Sequence, residues 1–423
     1  MSQDVDVIII GAGAAGLSAA KEAARQGLTF TLLEASHRIG GRAYTEYLTP
    51  DIPYDLGCHW MHSASINPFV TIADTLGHPY VKAGTWRNKI WWKGKWSTEA
   101  ERDELLDYFD RSAEAVIAAA KAGRDVPVSD VIDLESPYCP MYAYFHSLDT
   151  SGDLDQVSVF DTLNYNDTDE NWPLRNGYGT LINDWAKEVP VTLNCKAETV
   201  HWGGKDIRVD TSKGTVTGKR VVITVSTNIL SAGQIAFDPP LPDWKLDAAH
   251  NLPLGVHNRI AIVLKDNPFG DEPVDENENT SVMVTLEADD DVPISLKVRP
   301  FGFDYVAGVT GGRHGEWLSK AGQQASVDHV TERLVAVYGS DIRKSLSDRT
   351  IVTAWETDPW VLGAYSGALA GHGGDRAILR KPIDNRLYFA GEATSDHSFA
   401  TAHGAMMSGI DVIDSITGNQ PSW

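Results

Sequence analysis

The segment Gly11-Ala12-Gly13-Ala14-Ala15-Gly16 constrains this chain more than any other, because G-x-G-x-x-G after a strand and opening a helix has a defined physical use. Val5 to Ile10 ahead of it is an apolar, β-branched run interrupted only by Asp6, the pattern of a parallel strand buried on both faces. Ala14 to Gln26 behind it is alanine-rich with helical spacing and stops at Gly27, a natural C-cap. Thr29 to Leu33 reads as a second strand, completing a βαβ unit. Gly11 is expected to make the tight turn, Gly13 to let backbone approach a pyrophosphate, and Gly16 to allow helix and strand to pack closely. The helix start at Ala14 and Ala15 offers free N–H groups and a positive dipole end for phosphate. Glu34, followed by Ala35, ends the second strand about 20 residues on, where a carboxylate accepts hydrogen bonds from ribose hydroxyls.

Two further segments favour a longer dinucleotide than NAD. Gly40-Gly41-Arg42 suits a second backbone approach to phosphates, with the arginine compensating charge. Leu387-Tyr388-Phe389-Ala390-Gly391-Glu392 again sets glycine and acid at the end of a strand, before a helix from Ala402 to Ile416. Anion-type sites near both ends of the chain suit a long cofactor lying across the whole fold.

Between them, Leu105, Leu106, Phe109, Ala113, Val116 and Ile117 mark one face of a helix from Glu99 to Gly123. Short strands with glycine turns fill about 190–225, and more strands follow from about 255 to 310. The acidic stretch Asp266 to Asn279 reads as a solvated loop, and Ser326 to Tyr338 as a helix. At 423 residues the chain suits two interleaved domains better than one core.

Composition narrows the partners. Asp and Glu number 58 against 36 Lys and Arg, a formal charge of −22, which argues against nucleic acid. The same charge can concentrate cationic substrates, although plain solubility is the simpler account. Cys58, Cys139 and Cys195 are widely spaced and odd in number, so neither a disulfide framework nor a metal cluster is expected. The apolar run at Val5 has no basic leader, and no stretch reaches the ~18 apolar residues of a membrane span. A cytoplasmic protein that neither enters a membrane nor binds metal is the expectation, as monomer or homodimer.

Taken in order, these segments resemble the flavin-containing amine oxidase family, which includes monoamine and polyamine oxidases and lysine-specific histone demethylases. The resemblance also runs through Asp55-Leu56-Gly57-Cys58-His59-Trp60-Met61-His62, Asn176-Gly177-Tyr178-Gly179-Thr180-Leu181 and Phe237-Asp238-Pro239-Pro240-Leu241-Pro242. It continues in Trp355-Glu356-Thr357-Asp358-Pro359-Trp360 and closes on Gly391-Glu392-Ala393-Thr394 and Ala402-His403-Gly404-Ala405. It implies an α/β FAD-binding domain, Rossmann-like and of the glutathione-reductase type, interleaved with an α+β substrate-binding domain. The FAD domain is expected from 1–85, 190–240 and 356–423, and the substrate domain from 86–189 and 241–355. The implied chemistry is hydride loss from the α-carbon of an amine to flavin N5, imine hydrolysis, and reoxidation by dioxygen to hydrogen peroxide.

The resemblance also assigns residues. Gly57, Cys58, His59, Trp355 and the helix start at Thr401, Ala402 and Ala405 fall against the flavin, and the backbone of Val200 at the adenine. Tyr365 is similar to an aromatic-cage residue that holds the amine, while Thr401 stands where monoamine oxidases carry the second aromatic. Trp60 and His62 resemble a polyamine-oxidase pair, with His62 facing the amine and titrating near neutrality. Ala364 replaces the cysteine that attaches flavin in some members, so FAD is expected to be non-covalent. Pro253-Leu254-Gly255-Val256-His257-Asn258-Arg259 departs from the pattern by placing arginine where relatives carry a lysine beside N5. Arginine cannot serve as a base but can hold a carboxylate bidentately, which opens a second reading as an oxidase of an amino acid. A third reading is a flavin-binding interaction protein with weak catalysis. Lys265, an even number of residues beyond Arg259, and Lys297 are the candidates to replace the lysine.

Overall fold

A computed structural model describes residues 4–82, 87–270, 280–285 and 292–419. Most of the acidic stretch expected as a loop, 271–279, lies outside the described residues.

The strand Val5–Ile10 is paired on both sides from Val7 to Ile10, and those four residues are apolar and buried, with Asp6 ahead of them. It runs parallel to Phe30–Leu33 on one side and to the second half of Gly214–Ile223 on the other. Leu387–Phe389 adds parallel to Val221–Ile223, so the beginning, middle and end of the chain form one sheet. The first half of Gly214–Ile223 turns into an antiparallel ribbon with Ile207–Thr211, followed by Ala197–His201 and Ala236–Asp238. The helix Ala14–Arg25 follows the first glycine turn, and the helix Ala402–Thr417 lies across it. A Cβ at Gly409 would sit 2.1 Å from the Ala15 carbonyl oxygen, so the two helices touch backbone to backbone.

A second sheet has the order Leu346–Val352, His257–Leu264, Tyr305–Gly311, Ile294–Val298, Thr280–Val284, Arg87–Trp92 and Lys95–Trp96. The helix Gln323–Tyr338 buries Val330 and Leu334 against one part of it. Glu99–Lys121, opened by a reciprocal Thr98–Glu101 cap, joins the helix Cys139–Thr150 around Ile90 and Met283. These are the α/β and α+β layers expected from the sequence.

The cores divide the chain differently from the expected boundaries. Tyr178–Ala186 packs its Leu181 and Ile182 with Val7 and Leu17 of the dinucleotide domain, although 86–189 was expected in the other domain. Ala248, Ala249 and Leu252, expected on the far side of a break at 240, likewise pack with Ile8 and Val221. In each case the apolar face of a short helix finds its cover on the parallel sheet.

Behind the last parallel strand lies a buried ionic network. Glu392 accepts from Arg42 Nη1 at 2.9 Å, Ser366 Oγ at 2.7 Å and Ala400 N at 2.9 Å. Arg376 donates to the same Ser366 hydroxyl at 2.8 Å and to Asp161 at 2.8 Å, with Arg376 and Asp161 each 2 % exposed. Burial opposes ionisation of Glu392, but Arg42 and Arg376 outweigh it and hold the carboxyl below its usual range. Breaking such a pair leaves an uncompensated buried charge. Arg376→Met should therefore lower the unfolding free energy by about 3–5 kcal/mol in a denaturant melt, and a loss below about 1 kcal/mol would refute the network's role.

Candidate active site

One cavity of about 1660 Å³ runs from the first glycine turn to the second sheet. Its phosphate end is built from glycines. Gly11 has φ +102°, and a Cβ there would lie 2.6 Å from Thr224 Oγ1. A Cβ on Gly13 would meet nothing within 4 Å, so this residue presents bare backbone to the cavity. Gly16 does not line the cavity. Its hydrogen faces the Gly11 carbonyl oxygen, 1.8 Å from where a Cβ would be, so it serves packing alone. The second glycine turn is stitched to the first by Gly40 N donating to Ala12 O at 2.8 Å. Ala14 and Ala15 line the wall at a helix N-terminus without a side-chain cap.

Glu34 stands at the same end, 9 % exposed, accepting from Ala12 N at 2.7 Å and Ser36 N at 2.8 Å. Ala35, Gly40, Gly41, Gly57, Cys58, His59, Trp355 and Gly391 line the cavity. Arg42 lines it too, but its Nη1 donates to Ala364 O at 2.7 Å as well as to Glu392, so its charge neutralises a protein carboxylate. Val200, whose backbone the resemblance set against the adenine, has its side chain wholly buried in the ribbon core, and Cys195, Lys196 and Ala197 form the cavity wall on that segment.

At the other end the cavity meets the start of the helix Ala402–Thr417. Thr401 lines it, but its hydroxyl donates to Ser398 O at 2.7 Å and accepts from Gly404 N at 2.9 Å. Thr401 is therefore the helix cap, and Ala402 and Ala405 line the cavity on the first turn. Trp355 is held by its Nε1 donating to Leu56 O at 2.9 Å.

Around these residues gather the polar groups of the second sheet. Arg259 lines the cavity, 4 % exposed, with its guanidinium 5.2 Å from the Tyr54 ring and 5.8 Å from the Trp60 ring. Lys265 is exposed and outside the cavity, because the strand is irregular between Ile262 and Leu264 and ends there, which breaks the alternation. Lys297, on the strand Ile294–Val298, is buried and does line the cavity. His62 donates Nδ1–H to Asn171 Oδ1 at 2.5 Å, and burial lowers its pKa from 6.5. It is neutral at pH 7, where the sequence suggested titration near neutrality. Burial also pushes the Cys58 thiol up to about 11, so it stays protonated.

Tyr365 lines the cavity with its hydroxyl fixed by the Leu148 carbonyl and by His257 Nδ1 at 2.7 Å. Its phenol is held well above its usual pKa by burial. His257 and Asp149 are among the lining residues that were not anticipated. His257 shares a strand with Arg259 two residues away, so period-two alternation would have found it. Asp149, whose pKa burial and then Asp167 raise to about 7, sits near a helix end and carries no local signal.

Residues 140–416 match the family described as flavin containing amine oxidoreductase, and residues 9–72 match the NAD(P)-binding Rossmann-like domain. This chain belongs to the flavin-containing amine oxidoreductase family. It is 26 % identical over 444 residues to lysine-specific histone demethylase 2 of Homo sapiens, covering 96 % of this chain and 52 % of that protein. Polyamine oxidase 4 of Oryza sativa subsp. japonica is 27 % identical over 446 residues, covering 96 % and 88 %. The fold matches wild-type putrescine oxidase bound to putrescine with a TM-score of 0.80, at 16 % identity over 99 % of this chain and 100 % of that one. The chain spans about half the length, or less, of the curated relatives it matches first. The cofactor of this flavin-containing family member is FAD, and the cradle fits it: bare backbone at Gly13, a carboxylate at Glu34 and two helix starts face one long cavity.

Removing a charged partner tests that fit. Glu34→Ala should weaken FAD retention roughly 10- to 100-fold, read from flavin absorbance after dialysis, with unchanged retention counting against the site.

Proposed function

We propose that this enzyme oxidises a primary or secondary amine, a polyamine among the candidates, at the carbon bearing nitrogen, with non-covalent FAD supplying the hydride-accepting chemistry when bound. Dioxygen is the proposed acceptor and hydrogen peroxide the product. The observation that carries this reading is the continuity of one cavity from the glycine cradle to Trp60, His62 and Tyr365. His62 is neutral there, and with Nδ1–H spent on Asn171 its Nε2 lone pair is left to accept a proton from an ammonium. Tyr365 and Trp60 line the same cavity, and an aromatic ring there can hold a cationic amine before it gives up that proton. Ala364 offers no thiol at the lining position where some relatives attach flavin.

Under anaerobic conditions, flavin absorbance should bleach on adding a diamine, a polyamine or a simple primary amine. Absence of bleaching across such a panel would overturn the proposal. Because His62 must be neutral, kcat/KM should fall on the acid side with an apparent pKa below the usual 6.5, and that limb should vanish in His62→Gln.

Arg259 favours a second reading, a substrate that carries a carboxylate. Its guanidinium is buried on the cavity wall, where a bidentate anion partner suits it. Arg259→Met should then raise KM for amino acids at least roughly tenfold while leaving simple amines within about threefold. Equal effects on both classes would exclude it. The interaction-only reading loses its motive, since Lys297 supplies a lysine on the cavity wall.

A further inference from the structure

His257 is the residue that neither the sequence pattern nor the family resemblance assigns, and its hydrogen bonding leaves its chemistry little freedom. The Tyr365 hydroxyl touches the Leu148 carbonyl oxygen, which can only accept, so the single hydroxyl proton goes there. At the 2.7 Å contact between Tyr365 Oη and His257 Nδ1, the oxygen must then accept and Nδ1 must carry the proton. Nδ1 also lies 3.4 Å from the same Leu148 carbonyl, which again calls for a proton on that nitrogen. The imidazole is thus fixed as its Nδ1–H tautomer. Nε2 keeps its lone pair and has no hydrogen-bond partner among the described residues.

The surroundings keep this ring uncharged. Burial, then Arg259 on the same strand, then His62 across the cavity lower its pKa to about 4, against one opposing contribution from the Leu148 carbonyl. Lys297, two strands over in the same sheet, adds a second basic side chain to the cavity wall. His257 Nε2 is thus a second neutral lone pair beside that of His62, in a site that also holds Arg259 and Lys297. Their side chains can donate hydrogen bonds but cannot receive one while charged.

The geometry points to His257 Nε2 as the acceptor that binds an N–H of the substrate's amine, held in its acceptor tautomer by the Tyr365–Leu148 chain. This rests on the amine-oxidase reading above. It also gives the Tyr365 hydroxyl a task separate from that of its ring: the ring faces the cavity while the hydroxyl sets the orientation of His257. No bond is made or broken in this step. The amine nitrogen donates, the imidazole accepts, and the proton stays on nitrogen.

The test uses FAD-loaded full-length protein and tert-butylamine, an amine with no hydrogen on its α-carbon, which binds without being oxidised. Calorimetry gives its affinity directly. His257→Phe keeps the ring and removes the acceptor. His257→Asn keeps a polar partner for Tyr365 but does not reach the Nε2 position. Both should weaken binding roughly 10- to 100-fold with flavin content unchanged, and His257→Gln, which reaches the Nε2 position, should return to within about threefold of the parent. Parent-like affinity in the Phe or Asn variant overturns the assignment, as does a Gln variant no better than Phe. The two readings fail separately. If amines bleach the parent flavin but the variants bind tert-butylamine normally, only the role of His257 falls; if no amine bleaches the parent, the oxidase reading falls.

Discussion

The site depends on a carboxylate that the protein keeps ionised away from bulk water. Glu392 gathers Arg42 from the second glycine turn, Ser366 from the segment after Tyr365, and the Ala400 amide just before the last helix. Through Ser366 it reaches Arg376 and Asp161, which tie in elements from the other side of the cavity. Each of these contacts is modest alone. Together they hold four distant segments in register, because every partner left without its mate would be a buried unsatisfied charge. The cofactor cradle and the amine end therefore share one rigid wall.

Along that wall two kinds of chemistry are separated by the fold itself. The parallel sheet ends in glycine turns and helix N-termini, which present amide N–H groups and bare backbone. The second sheet presents side chains with period two, and one face of it supplies His257, Arg259 and Lys297 to the cavity. The polar groups there are poised by burial. His62 and His257 are held neutral, Asp149 is raised toward neutrality, and Cys58 is kept as a thiol. Desolvation acts in the same sense on all four, disfavouring whichever form is charged.

Local rules carried far in this chain where backbone conformation decided the matter. Gly11, Gly13, Gly40 and Gly41 were legible because a tight turn or a close approach admits little else. The helix Ala402–Thr417 and the strand Val5–Ile10 were legible from periodicity and apolar content. The misses have separate causes. Lys265 was placed by counting along a strand, and the count fails where that strand bulges and ends. Thr401 was read as standing where monoamine oxidases carry a second cage aromatic, and a threonine before a helix is also a cap, which is what its hydroxyl makes. Arg42 was read as a phosphate partner because Glu392 lies 350 positions away in the sequence.

By itself, then, the sequence determined the dinucleotide turn, the order of motifs that marks the family, and the absence of a lysine at the register of Arg259. Those are properties of short segments, set by sterics and by hydrogen bonding over a few residues. Tertiary structure decided which side chains meet. It brought Lys297 to the cavity and left Lys265 in solvent, spent Arg42 on Glu392, and set His257 against Tyr365 with one nitrogen occupied and the other available. Burial and long-range pairing fix protonation and tautomer, and neither is a property of any local stretch of chain.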